Sequence, residues 1–285
     1  VLMIREIKYI NSLGEEIVFG GESSQEASER NGEWHFGEND IFNVDLDYES
    51  VGDSITEFTT GIREFSLTAY MTDGSVAEKN RFVDVISYDT YTGNKGRLYV
   101  GDSYMDCWIS AFEISRYHYF DYFAVYNLTI VTDNPVWIRT ETVTLAQRTS
   151  TPVGGGNYPR NYPRNYLKAN STSTSIVNNF RLPAKCDISF AGPCVTPYVT
   201  TGGNRYQVNA TAEKGQLIII RGYGNKSIVL KDSGGAEEPI FSAGVRESGA
   251  MVFQEIPVGE NLVSWPGTPN IEVKMYEERR SPCLI

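Results

Sequence analysis

The chain has 285 residues, 41% hydrophobic and 21% charged, an ordinary globular balance and enough length for one large or two medium domains. Its net charge of −11 is unevenly divided: Val1 to Arg148 holds 25 acidic and 11 basic residues, a net of −14, while Thr149 to Ile285 holds 11 and 14, a net of +3. The acidic first half argues against nucleic-acid binding, and the change of sign argues for two domains in different surroundings. Apolar runs such as Leu217-Ile218-Ile219-Ile220 are too short to cross a membrane. Val1 to Tyr9 carries two basic and one acidic residue and lacks the apolar stretch of a signal peptide, so a soluble protein is expected.

In chain order, apolar residues at Ile4, Ile7, Tyr9 and Ile10, the turn Asn11-Ser-Leu-Gly14 and a resumed Ile17-Val-Phe19 predict an opening hairpin. Residues 20–39 are polar and Gly-rich, with Trp34 and Phe36 as the large apolar anchors. Strands are expected near Ile41 to Tyr48 and over Arg63 to Met71, where Phe65, Leu67, Ala69 and Met71 alternate with polar neighbours. Ser75-Val-Ala-Glu78 fits a capping box, and Val76, Val83 and Ile86 recur at helical spacing, predicting a helix over 75–88. Strand patterns return at Gly96 to Val100, Met105 to Arg116, Phe123 to Thr132 and Trp137 to Leu145.

Composition then changes. Residues 149–170 contain Gly154-Gly-Gly156 and the repeat Asn157-Tyr-Pro-Arg160, Asn161-Tyr-Pro-Arg164, which read as an exposed linker or loop that buries no core. Tyr and Arg in the repeat are also interface residue types, but the solvated linker is the plainer reading. Beyond it, short strands recur at roughly ten-residue spacing. They are expected at Ser175 to Phe180, Lys185 to Phe190, Pro197 to Thr201, Arg205 to Thr211, Gln216 to Gly222, Lys226 to Lys231, Ala250 to Ile256, Glu260 to Trp265 and Ile271 to Tyr276. That spacing with Gly-rich turns predicts a β-sandwich. The organisation is therefore a first domain over 1–148, a linker over 149–170 and a second domain over 171–285.

Catalytic and metal-binding patterns are absent. There is no G-x-S-x-G, H-E-x-x-H or phosphate-cradling glycine motif, and His35 and His118 are the sole histidines. Cys107, Cys186, Cys194 and Cys283 form no C-x-x-C pair and read as free thiols of a reducing cytoplasm. Asp45, Asp47 and Glu49 alternate on a predicted strand and so share one face. Ser50 stands where a calcium loop needs glycine, however, and a solvated acidic face is the plainer reading. No catalytic residue, metal or cofactor is expected. A β-sandwich glycosidase built on paired carboxylates is the least favoured alternative.

Taken in order along nearly the whole chain, several segments resemble the distal tail protein of siphophages and prophages, the ring-forming baseplate hub protein. They are the opening hairpin, Ile62-Arg-Glu-Phe-Ser-Leu67, Gly96-Arg-Leu-Tyr99, Trp108-Ile-Ser-Ala-Phe-Glu-Ile114 and Asp133-Asn-Pro-Val-Trp137. In the second half they are Asn178-Asn-Phe180, Ile188-Ser-Phe-Ala-Gly192, Gly215-Gln-Leu-Ile-Ile-Ile220, Pro257-Val-Gly-Glu-Asn261 and Ser264-Trp265-Pro-Gly267. The resemblance implies a mainly β protein: an N-terminal β-sandwich or barrel-like domain with one helix, and a C-terminal galectin-like β-sandwich. It implies a homohexameric ring between the tail tube protein and the tail-tip and receptor-binding proteins, made in the bacterial host cytoplasm and carried in the virion, without enzymatic activity. DNA would pass through the ring without stable binding, and part of the first domain's acidity would line the lumen. The galectin-like domain also implies an alternative, a carbohydrate-binding β-sandwich protein, with Trp265 as the stacking residue and Arg221 and Asn225 as polar partners.

Overall fold

The structure, a computed structural model, describes residues 6–20, 34–43, 47–51, 53–71, 76–118, 123–146 and 174–282. The linker 149–170, Ser75 of the capping box, Asp45 and Cys283 lie outside the described residues. The chain divides into two compact units, Val1–Arg139 with Glu278–Ile285, and Thr140–Glu277. The division falls inside two strands. Residues 140–145 group with the second unit, and Glu278–Ile285 with the first.

The first unit contains β1 (Glu6–Ile10), β2 (Glu16–Gly20), β3 (Trp34–Asn39), β4 (Asp47–Val51), β5 (Ser54–Thr59) and β6 (Arg63–Met71). Then come helix α1 (Val76–Thr92), β7 (Gly96–Val100), β8 (Ser103–His118), β9 (Phe123–Thr132) and the start of β10 (Trp137–Leu145). β7, β9 and β10 lie where the alternation places them. The strand expected near Ile41 to Tyr48 is corrected: residues 41–42 form a turn, and the flanking strands are β3 and β4. Ile41 is apolar because it is buried in the core and not because it is part of a strand.

The strand order β8–β7–β1–β2–β3–β6–β9 closes on itself, since β8 also pairs with β9. One long strand makes the closure. Gly96 to Val100 pair with Cys107 to Ser103, the first part of β8. Phe123 to Val131 pair with His118 to Trp108, its second part, through two bulges. Bulges add the local bend that lets one strand serve two neighbours. All pairs are antiparallel except β2 with β3, where Phe19 sits opposite Trp34.

Helix α1 lays one face against the core of this closed sheet and leaves the other to solvent, with Val76 and Tyr91 73% and 93% exposed. Phe82, Val85, Ile86 and Asp89 are its buried residues, spaced as a single helical stripe. Phe82 stacks on Trp34 at 4.3 Å between ring centres, and Tyr126 lies 5.1 Å from Trp34. The helix ends at Gly93, whose φ of +73° is the left-handed conformation that glycine adopts without strain.

Asp89 is a carboxylate on the apolar stripe, and it is fully buried. The Tyr9 hydroxyl donates to its Oδ2 at 2.6 Å, and the Ser12 amide donates to its Oδ1 at 2.9 Å. Burial, and then the hydrogen bond to Asp89, push the Tyr9 hydroxyl well above its ordinary pKa, so it stays a donor. Asn11 joins the same junction: its Oδ1 accepts from the Glu15 amide at 2.9 Å and its Nδ2 donates to the Val85 carbonyl at 3.3 Å. The polar turn Asn11–Gly14 is thus what fastens the opening hairpin to the last turns of the helix. Gly96 lies against Tyr9 Oη and Asp89 Oδ2, with no room for a Cβ.

The second unit continues with β11 (Thr174–Asn178), β12 (Lys185–Ala191), β13 (Cys194–Val195), β14 (Tyr198–Thr201), β15 (Asn204–Gln207) and β16 (Thr211–Ala212). It ends with β17 (Leu217–Arg221), β18 (Ser227–Lys231), β19 (Glu237–Pro239), β20 (Arg246–Glu247), β21 (Ala250–Met251), β22 (Gly259–Val263) and β23 (Ile271–Arg279). One antiparallel layer runs β19–β18–β17–β12–β23. A second contains β11 paired with β22 and β14 paired with β15, joined through the bridge Thr200 to Ser264. The strand expected over Ala250 to Ile256 shortens to β21, followed by turns, with Ile256 bridging to Ala184. Side chains from both layers meet in one core: Ile188, Phe190, Ile220 and Val273 from the first, Ile176, Val199, Tyr206 and Trp265 from the second. Cys107, Cys186 and Cys194 are free thiols, and burial pushes the Cys186 thiol up to about 12.

The Asp89 junction yields a direct expectation. Tyr9→Phe leaves a buried carboxylate oxygen without its donor and destabilises the protein by about 1–3 kcal/mol. Gly96→Ala, which forces a methyl into Tyr9 and Asp89, destabilises by at least as much. Urea unfolding followed by tryptophan fluorescence checks both, and wild-type stability in either variant contradicts the role given to this junction.

Candidate functional site

Among the described residues the hairpin β4–β5 pairs only with itself. Asp47 sits opposite Thr59, Tyr48 opposite Phe58, Glu49 opposite Glu57, and Ser50 opposite Ile55 after a bulge. Alternation therefore splits it into two unlike faces. One carries Tyr48, Ile55 and Phe58, which are 61%, 55% and 56% exposed. The other carries Asp47, Glu49 and Glu57, with the two glutamates directly across from each other, a like-charge pairing that weakens the ribbon. An isolated two-stranded ribbon is marginal by itself, and large apolar side chains gathered on one exposed face mark an interaction surface.

Asp47 and Glu49 do share a face, as the sequence pattern predicts, while Asp45 is outside the described residues. The Asp47 carboxylate accepts from Arg63 Nη2 at 3.1 Å, an exposed ion pair at the root of the hairpin. Among the described residues there is no cluster of three His, Cys, Asp or Glu side chains suited to a metal. The hairpin was not legible as such from the sequence. Its signal, two short alternating runs around Gly52-Asp53, is present but weak, because its apolar side chains cover no core.

Beside the root lies a cleft of about 320 Å³ lined by Asp40, Ile62, Arg63, Phe65, Trp137 and Arg280 among others. Asp40 Oδ1 accepts from the Ser66 amide at 2.5 Å, which ties one wall of the cleft to β6. Its lining holds no histidine, cysteine or serine.

In the second unit the three residues considered for sugar contact separate. Arg221 and Asn225 share the β17–β18 hairpin, whereas Trp265 follows β22 in the opposite layer. Trp265 is 8% exposed and belongs to the core, so its ring does not offer a stacking face. Arg221 is engaged in a two-pronged pair, Nη1 and Nη2 donating to the Glu237 carboxylate at 2.9 and 2.6 Å. Neighbouring Asp187 accepts from the Gly222 and Tyr223 amides at 2.9 and 3.2 Å and from the Tyr276 hydroxyl at 2.7 Å. Tyr223 stacks on Tyr276 at 4.3 Å. These contacts organise the outer face of the sheet, and Asp187 had no distinguishing signal in the sequence beyond its place in an alternating strand.

No protein-family model matches the sequence, and no curated protein matches it. Solved structures do. The Dit protein of phage SPP1, described as a paradigm of the hub adsorption apparatus in phages that infect Gram-positive bacteria, aligns over 96% of this chain and 99% of its own. Its TM-score is 0.50 at 8% identity. The chain has the fold of these phage proteins. The baseplate of phage P2 in its activated conformation with calcium, and the same baseplate with strontium, each contain a chain matching at TM-score 0.57 and 12% identity. That match covers 98% of this chain and 100% of the other. The likeness of fold thereby extends over nearly the whole of both chains.

The Arg221–Glu237 pair carries a pH signature. The two hydrogen bonds from Arg221 hold the Glu237 carboxyl below its ordinary 4.5. A depressed folded value means that the pair's contribution is full above the ordinary pKa and is lost as pH falls through the lowered one. Because the group is exposed, the effect on overall stability is small. An NMR titration should place the Glu237 midpoint below 4.5, and Arg221→Gln should return it toward that value. An unmoved midpoint contradicts the pairing.

Proposed function

We propose that this chain is a structural subunit of a phage tail tip. It assembles into a homohexameric ring at the distal end of the tail tube and links the tube to baseplate and receptor-binding components. The observation that carries this reading is the likeness, along the full length of both partners, to the SPP1 hub protein and to chains of the P2 baseplate. The exposed apolar face of the β4–β5 hairpin supports it, since a subunit that works by assembly must present such a surface. The working chemistry is burial of that surface, and a cyclic ring requires a head-to-tail contact between two different patches. Catalysis has no part in this reading. The first unit forms the ring, the galectin-like second unit meets the tail-tip partners, and part of the acidic surface repels the DNA that passes through the lumen.

Negative-stain electron microscopy of the purified protein at high concentration, with mass from light scattering, tests the assembly. Six-fold rings of about six times 31.9 kDa are the expected result. A different closed symmetry overturns the hexamer, and a persistent monomer removes assembly as an intrinsic property of the chain.

A further inference from the structure

A closed sheet leaves no free edges, yet β8 is longer than the closure needs. Its first part is paired on both sides, to β7 and, at Ser103 and Tyr104, to β10. From Trp108 onward it is paired to β9, and among the described residues no strand lies on its other edge. Ser110 to Arg116 are all exposed. Phe112 sits opposite Leu128 and Ile114 opposite Tyr126, both of which are buried. Phe112 and Ile114 thus belong to the core-facing side of the sheet, but they are 38% and 47% exposed because the sheet stops there. Phe112 meets Phe82 edge-on at 6.1 Å, so this strip is the uncovered rim of the aromatic core.

The same unit therefore carries two unfinished features of opposite kind. One is a two-stranded ribbon with free edges and an exposed face of Tyr48, Ile55 and Phe58. The other is the edge of β8 from Trp108 onward, along which no strand lies among the described residues and whose apolar rim stays part exposed beside α1. They lie toward opposite ends of β9: Arg63, at the root of the hairpin, pairs with Thr132, whereas Ile114 pairs with Tyr126. Exposed strand edges recruit further strands, and isolated ribbons need a third strand or a packed face. The geometry points to one contact that completes both: the β4–β5 hairpin of one copy adds to the open edge of β8 in the next, its apolar face covering Phe112 and Ile114. Backbone hydrogen bonds along the edge would set the register, and the aromatic side chains would supply the burial. The two patches are different and apart, so the contact is head-to-tail and propagates, as a ring requires. This inference rests on the assembly reading above and names the surfaces that mate.

Two variants test it. Tyr48→Ser with Phe58→Ser removes the apolar face of the hairpin, and Ile114→Lys places a charge on the open rim. All three positions are exposed, so both variants should unfold at the wild-type temperature, which a thermal scan verifies. Each variant alone should run as a monomer where wild type assembles. An equimolar mixture should give a single species of about twice 31.9 kDa and nothing larger, because each variant retains one intact patch and only one productive contact forms. A contact between identical patches predicts no such rescue. Wild-type assembly in either variant, or a mixture that stays monomeric, overturns the proposed contact and leaves the ring itself standing. A wild-type chain that is monomeric at every concentration overturns both.

Discussion

Strand β8 is the constraint on which the first unit depends. Backbone N–H and C=O groups must find partners, and a sheet meets that demand either by closing or by leaving edges to water and to neighbours. β8 closes the sheet by turning from β7 to β9 along its own length, and two bulges make the turn feasible. Closure brings Trp34, Phe82 and Tyr126 into one cluster, with one face of the helix packed into it and the other exposed. The same turn leaves the second part of β8 with no strand on one side among the described residues. Internal order and an external unsatisfied edge are therefore two results of a single feature.

The second unit manages its edges differently. Its main layer ends on β19, three residues long and closed by Pro239, a short edge that offers little to a foreign strand. Its outer face is polar and internally engaged, with Arg221 held by Glu237, Asp187 bound to two amides and the Tyr276 hydroxyl, and Tyr223 lying flat on Tyr276. Groups already satisfied in this way have little to gain from a ligand. That is the physical reason the sugar-contact alternative, with Trp265 in the core, draws no support from the geometry.

The likeness to phage hub and baseplate chains joins proteins that agree in 8% to 12% of their residues. At that level few individual side chains are shared, and what persists is the fold over nearly the whole of both chains. One fold tolerates extensive change of sequence when volume and the pattern of buried and exposed positions are kept.

Much of this was legible in the residues themselves. Alternation placed β7, β9 and β10, and helical spacing located α1, predicted over 75–88 and observed over Val76–Thr92, because local periodicity follows directly from which face is buried. Turn residues foretold the opening hairpin. Other features depended on partners distant in sequence. Ile41 looks like part of a strand but is a buried turn residue, and Asp89 looks like a surface helix position but is a buried acceptor for Tyr9, eighty residues away. The hairpin β4–β5 escaped notice because its apolar side chains face no core of their own, so its pattern is that of an ordinary exposed loop. The free edge of β8 is absent from the sequence altogether, since a strand's pattern records which face is buried and says nothing of whether a neighbour lies alongside. Periodicity determined the elements; only the tertiary pairing of backbone edges decided which of them were left open.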